Sequence, residues 1–255
     1  MTLSPSLRLT AFGAALFGAV LTTAPARADF KVHSPIVEHG EIEVEHSGAL
    51  SKDNDPAKDK GRSFTTSIGY GVTEKWFTEF EGEWAREAGE GEKQRFDAAV
   101  WSNTLQIFDQ GSRWLELGVL AEYEIAGAKD GADKITFGPL LQKELGPLTA
   151  TVNLLLEKEI GANSAGGTEF AYGTQVKWGL AKEFEPAIEV YGEMGEVNNM
   201  KAADKQDHRA GPVLLGKFGL GAAGEIGYEV GYLVGLTDGA PQHTVKYSLE
   251  YGIAF

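Results

Sequence analysis

The sequence of 255 residues contains no cysteine. This absence excludes disulfide frameworks and thiolate chemistry, whether catalytic or metal-binding. Basic residues are also scarce, because 23 lysines and arginines stand against 37 aspartates and glutamates. Such an acidic balance argues against nucleic-acid binding, since the phosphates of a nucleic acid require basic surfaces.

Long apolar runs are missing after residue 28, so any insertion into a membrane must use strands rather than helices. Before that point, Arg8 precedes an apolar run of 13 residues from Leu9 to Leu21, and the run is followed by Ala26-Arg27-Ala28. Because 13 residues are too few to cross a bilayer, residues 1 to 28 are predicted to be a secretory signal peptide that is removed before Asp29. The remaining chain has 21 basic and 37 acidic residues, a net charge of −16.

Apolar and acidic residues alternate in the stretch FTEFEGEW, residues 77 to 84. In a β-strand, Glu79, Glu81 and Glu83 would lie on one face, and Phe80 and Trp84 on the other. Alternation alone does not say whether the apolar face packs on a protein core or contacts lipid.

Alternating segments between turn residues predict an all-β protein with about twelve antiparallel strands. The predicted strands are 41–50, 63–73, 76–86, 95–107, 114–126, 134–145, 148–160, 169–180, 187–198, 209–218, 225–236 and 243–255. Connections after odd strands are polar and charged, and connections after even strands are generally tighter. This sorting is typical of transmembrane barrels, which have short periplasmic turns and longer outer loops. Residues 29–40 precede the barrel, 41–255, as an N-terminal leader, for which disorder is favoured over entry into the barrel.

The last predicted strand, TVKYSLEYGIAF, alternates throughout, with Tyr247, Leu249, Tyr251, Ile253 and Phe255 on one face. In this strand and its terminal Phe, the chain resembles Gram-negative outer-membrane β-barrel proteins. The resemblance implies a transmembrane antiparallel up-and-down barrel in the outer membrane, in contact with lipid and lipopolysaccharide. It also implies that the final strand is recognised by the barrel-assembly machinery. A secreted soluble sandwich or a lipocalin-like barrel is the alternative fold, and a monomer is the expected state.

Acidic residues dominate the face that would line the lumen of such a barrel. The inward acids are Glu41, Glu43, Glu45, Glu79, Glu81, Glu83, Glu116, Glu122, Glu124, Glu144, Glu157, Glu159, Glu189, Glu193, Glu225, Glu229 and Glu250, against three inward bases, Lys177, Lys217 and Lys246. Rings of acids favour cations in a pore. The sequence therefore predicts a channel for small cationic or neutral polar solutes, although inward leucines such as Leu120 and Leu140 could constrict it.

Two other functional classes remain open. One is a structural or surface-display protein that transports nothing. The other is an outer-membrane lipid hydrolase, but no GxSxG motif occurs and adjacent His46 and Ser47 would point to opposite faces of a strand. No catalytic residue is therefore assigned. No metal-binding motif is present, and GLGAAG, residues 219–224, joins two strands rather than opening a helix, so neither a metal nor a cofactor is predicted.

Overall fold

The computed structural model describes residues 30–89 and 91–255, so the predicted signal peptide lies outside the described residues. This part of the chain forms twelve long strands and one strand of two residues. The strands are β1 Glu41–Lys52, β2 Arg62–Thr73, β3 Trp76–Arg86, β4 Arg95–Gln106, β5 Glu116–Ala126, β6 Asp133–Leu145, β7 Leu148–Ile160, β8 Glu169–Trp178, β9 Glu185–Glu196, β10 Asn199–Met200, β11 Asp207–Gly219, β12 Glu225–Gly235 and β13 His243–Ala254.

The strands form one closed antiparallel barrel. Each long strand pairs with the long strands before and after it, and β13 pairs with β1 from Glu41 opposite Ala254 to Lys52 opposite His243. The short β10 pairs with β9 alone, so the wall has twelve strands. The predicted fold is confirmed, and the predicted strand bounds differ from the observed ones by at most two residues.

The two faces of the wall have opposite chemistry. In β3, Phe80 is 59% exposed and Trp84 is 38% exposed, whereas Glu79 and Glu81 are 4% and 8% exposed. The barrel is therefore apolar outside and polar inside, as a barrel in lipid requires. Aromatic side chains lie on the outside near both rims, including Trp76, Trp178 and Tyr251 at one rim and Trp84, Phe96 and Tyr232 at the other. No helix in the described ranges is long and apolar enough to cross a membrane.

The two ends of the barrel differ in their connections. At the loop end lie residues 53–61, 87–89, 91–94, 127–132, 161–168, 197–206 and 236–242, and at the turn end lie 74–75, 107–115, 146–147, 179–184 and 220–224. Two-residue turns such as the one with Gly146, at φ 64°, confirm tight connections at the turn end. The connection 107–115 is longer than the predicted connection 108–113. Two side chains that flank it bond to its backbone: Gln106 donates to the Phe108 carbonyl, and the Glu116 carboxylate accepts from the Gly111 amide.

Candidate functional site

Residues 30–38, here called the inner segment, lie inside the barrel. The chain enters at the turn end, where the Gly40 amide donates to the Gly71 carbonyl at 2.8 Å. Deeper in, the Val37 amide donates to Gln106 Oε1 at 2.9 Å, and His33 exchanges two hydrogen bonds with the Asn153 side chain, at 2.7 and 2.9 Å. An ordered segment in the lumen therefore replaces the disordered leader that the sequence favours, and these bonds hold it to β2, β4 and β7.

Glycines in the wall give the inner segment its space. A Cβ added to Gly118 of β5 would lie 2.9 Å from the Cα and Cβ of Pro35, whose side chain is fully buried. A Cβ on Gly71 of β2 would collide with the Glu38 carbonyl. At these two positions any other residue would push the segment away from the wall.

The other described end of the inner segment is held at Phe30. The Phe30 ring meets Tyr191 edge to face, with centroids 5.3 Å apart, and the Tyr191 hydroxyl donates to the Phe30 carbonyl at 2.8 Å. Lys246 Nζ donates to the same carbonyl. The Arg209 guanidinium lies 4.7 Å from the centre of the Phe30 ring, within the range of a cation–π contact.

Apolar side chains project into the lumen beside the inner segment. One buried cluster consists of Leu120, Leu140 and Leu155. A second cluster joins Ala187, Tyr191, Val213 and Leu233, and Phe30, Val32 and Leu215 pack against it. Together with the inner segment, these clusters narrow the lumen, and they include Leu120 and Leu140, which the sequence analysis named as possible constrictions.

Inward lysines bridge pairs of glutamates. Lys246 Nζ lies 2.8 Å from Glu189 and also pairs with Glu229. Lys217 pairs with Glu225 at 2.7 Å and Glu250 at 3.4 Å. Lys134 pairs with Glu124 at 3.3 Å and Glu157 at 3.7 Å, and Lys31 pairs with Glu45 at 2.7 Å and Glu79 at 3.3 Å. These pairs neutralise part of the acidic excess.

Two cavities lie in the lumen on either side of the inner segment. The loop-end cavity has a volume of about 590 Å³, and the turn-end cavity has about 190 Å³. Phe30 and Lys31 line both of them. The inner segment therefore separates the larger loop-end cavity from the smaller turn-end cavity.

Most of the lumen residues predicted from the sequence line one of the two cavities or belong to the lysine–glutamate pairs. Glu81, Glu83, Glu122, Glu124, Glu157 and Glu193 line the loop-end cavity. Glu45, Glu229, Lys177, Lys217 and Lys246 line the turn-end cavity, where Lys177 pairs with Glu185 at 2.8 Å. Glu79, Glu189 and Glu225 hold Lys31, Lys246 and Lys217 respectively, and Glu43 lies between Glu41 and Glu45 on the alternating face of β1.

Four cations of the lumen are absent from the sequence prediction: Lys31, Lys134, Arg209 and Lys201, of which Lys201 lies in the connection 197–206 and lines the loop-end cavity. Lys134 is the second residue of β6 and Arg209 is the third residue of β11. Both begin a predicted strand, so extending the inward alternation to the first residue of each strand would have found them. Lys31 belongs to the inner segment, and no periodic pattern points to it.

Residues of β13 that were assigned to assembly lie on the outer face. Leu249 and Tyr251 are exposed there, and Phe255 is 86% exposed at the turn end. The Tyr247 hydroxyl lies 3.2 Å from His46 Nε2 on β1, the strand that pairs with β13 to close the barrel, and Ile253 lies opposite Ile42 of β1. Recognition of this strand by the assembly machinery stays a prediction.

Two histidines of the wall bond to tyrosine hydroxyls on other strands. His208 Nδ1 lies 3.1 Å from Tyr172, and His243 Nδ1 lies 2.7 Å from Tyr232. The first contact joins β8 and β11 across Gly192 of β9, and the second joins the adjacent strands β12 and β13. Among residues 30–89 and 91–255, no group of three or more His, Asp or Glu is arranged to hold a metal ion.

Comparisons with known proteins agree on the architecture. No protein-family model and no curated protein matches the sequence. Among solved structures, the COG4313 outer membrane channel from Pseudomonas putida F1 superimposes with a TM-score of 0.60 at 14% identity, over 86% of this chain and 97% of that one. The KdgM porin in complex with disordered oligogalacturonate matches with a TM-score of 0.52 at 8% identity, over 84% and 99%. The NanC porin matches with a TM-score of 0.52 at 10% identity, over 83% and 99%. The chain therefore has the fold of Gram-negative outer-membrane β-barrel channels, as its sequence predicts.

Proposed function

We propose that the protein is an outer-membrane channel for small cationic or neutral polar solutes, which pass through an acidic lumen. The observation that carries this proposal is the lining of the loop-end cavity. Ten carboxylates line it, against the three lysines Lys31, Lys134 and Lys201: Glu81, Glu83, Asp97, Glu122, Glu124, Glu157, Glu159, Glu169, Glu193 and Glu196. Carboxylates confined in one cavity attract cations and repel anions, so a cation that enters from the loop end is stabilised.

The inner segment sets the condition for passage. Because it lies between the two cavities, a solute crosses only where the segment moves aside. The segment is joined to the wall through side chains such as Gln106 and Asn153 rather than through a β-ladder. Moving it therefore leaves the barrel itself intact.

Planar-bilayer recordings test the proposal. In a salt gradient, the refolded mature chain and a variant lacking residues 30–38 should both show a reversal potential whose sign indicates preference for cations. The shortened variant should carry larger currents. Replacing Glu81, Glu83 and Glu122 by glutamine should weaken the preference. Replacing the exposed turn residue Glu74 by glutamine should not. Anion preference, or no current from either protein, contradicts a cation channel, and the second result favours a surface-display protein.

The solute class separates this chain from one of the similar structures. Oligogalacturonate, named for the KdgM porin, is a chain of acidic sugars. An acid-lined cavity disfavours such an anion, so the proposed solutes are cationic or neutral.

The apolar outer surface supports contact with outer-membrane lipid and lipopolysaccharide. We further propose that the chain is monomeric. Mass determination of the detergent-solubilised protein tests this state.

A further inference from the structure

A cation already sits between two carboxylates of the barrel wall. Lys31 Nζ lies 2.7 Å from Glu45 Oε2, and 3.3 and 3.5 Å from the two oxygens of Glu79. Glu45 belongs to β1 and Glu79 to β3, with β2 between them, so the wall alone fixes both acids. The ammonium group comes from the inner segment, which is not part of the wall.

This origin separates Lys31 from the other bridging lysines. Lys134, Lys217 and Lys246 stand on barrel strands, as do the glutamates they bridge, and they cannot leave without disrupting the wall. Lys31 can leave together with the inner segment. The Glu45 and Glu79 carboxylates would then remain in the lumen without this cation.

Burial makes an empty pair unfavourable. The side chain of Glu79 is 5% exposed and that of Glu45 is 12% exposed, whereas the side chain of Lys31 is 28% exposed and contributes to both cavities. Glu45 also accepts from the Ser248 hydroxyl at 2.6 Å and would keep this donor. Two buried carboxylates that face one ammonium group nevertheless need a cation to offset their desolvation and mutual repulsion. Any displacement of Lys31 therefore favours its replacement by another cation from the adjoining cavities.

We propose that Glu45 and Glu79 form a binding site for the primary ammonium group of a solute, and that Lys31 occupies this site in the absence of solute. The inference rests on the proposed channel function, and it names the solute class as primary alkylamines. An ammonium group brings three N–H donors, which match carboxylate oxygens on two strands. The alkyl chain of the solute would follow the path of the Lys31 side chain into the cavities.

Binding of n-butylammonium, which reproduces the end of a lysine side chain, tests the proposal in detergent-solubilised full-length mature protein. Calorimetric titration should show saturable binding to Lys31→Ala that is about tenfold tighter than to the unmodified chain, where Lys31 competes. Tetramethylammonium has the same charge but no N–H donor, so it should bind Lys31→Ala at least about tenfold more weakly.

Two further variants assign the binding to the carboxylates. Adding Glu79→Gln to Lys31→Ala should weaken butylammonium binding by about tenfold or more, and adding Glu74→Gln should leave it unchanged. If Lys31→Ala does not give the heat-modifiable gel shift of a folded barrel, Lys31→Met keeps the apolar stem and serves in its place. Equal affinity in the lysine variant and the unmodified chain, binding that survives Glu79→Gln, or no binding at all would overturn the proposal.

This titration requires no ion current, so it fails or succeeds separately from the channel function. Binding of butylammonium at Glu79 without ion conduction would support the binding site and contradict the channel function. Cation-selective conduction without such binding would contradict the binding site and leave the channel function supported.

Discussion

Pro35 of the inner segment lies directly against Gly118 of the barrel wall. The missing side chain at Gly118 makes this approach possible, since an added Cβ would lie 2.9 Å from Pro35. A single methyl group on the wall should therefore act on the segment that separates the two cavities.

Gly118→Ala is expected to displace the inner segment and to raise the single-channel conductance. The reason is a steric clash, which typically costs about 1–3 kcal/mol when a packed site cannot relax. Conductance and protease sensitivity of residues 30–38 measure the effect. Gly219→Ala is the matched control, because no atom lies within 4 Å of an added Cβ there. Equal behaviour of the two variants would contradict the role of this contact.

Lys246→Met is expected to lower the free energy of unfolding by about 3–5 kcal/mol, because Glu189, which is fully buried, would lose its cation. Equilibrium unfolding by urea in lipid vesicles measures the loss. Adding Glu189→Gln should recover part of it, since a neutral amide needs no counter-charge. Lys52→Met, which removes the pair between Lys52 at the end of β1 and Asp59 in the following loop, should cost far less, because solvent screens this pair. A larger loss in Lys52→Met than in Lys246→Met would refute this assignment.

Two loops at the loop end are joined through Asp53, which follows β1. Its carboxylate accepts from the backbone amides of Asp55 and Gln242 at 2.7 and 2.8 Å, and Lys58 Nζ lies 3.6 Å away and donates to the Asp238 carbonyl. Burial tends to raise the pKa of Asp53, but these amides and the lysine outweigh it and hold the pKa below its ordinary value of 3.8.

A lowered pKa means that ionised Asp53 stabilises the fold above pH 3.8 and that this stability is lost as the pH falls through the lower native value. Asp53→Asn is expected to reduce this acid-dependent loss. Thermal unfolding from about pH 2 to about pH 6 measures it. Asp204→Asn, in the exposed loop 197–206, should keep the pH dependence of the unmodified chain. An unchanged profile in Asp53→Asn would show that the loop contact contributes nothing.

Phe80→Arg tests the lipid-facing assignment of the outer wall. Phe80 lies near the middle of β3 and is exposed, so an arginine there should lower the free energy of unfolding in lipid by about 2–4 kcal/mol. Val234→Arg, near the loop end of β12, should cost about 0–1 kcal/mol, because charge is tolerated close to the interface. The reverse order of the two costs would argue against the assigned depth.

The barrel was predictable because its pattern is local and repeated. Alternation such as that of Glu79 and Phe80 fixes which face of each strand is wet, and glycines and polar residues mark the strand ends, so fold and strand bounds follow from the sequence. The inner segment was not predictable in this way. It has no periodic pattern, and contacts such as that between His33 and Asn153 join residues 120 positions apart. The same limitation hid Lys31, which is a lumen cation only because the segment lies inside.

The absence of cysteine in the chain makes one measurement direct, because every introduced thiol is then the sole reactive one. Single variants Phe80→Cys and Glu81→Cys place a thiol on opposite faces of the same strand, and a charged, membrane-impermeant thiol reagent reports which of them water reaches in lipid vesicles. The account predicts labelling at position 81 and protection at position 80. Labelling at position 80 with protection at position 81 would contradict a barrel with lipid outside and an acidic, water-filled lumen.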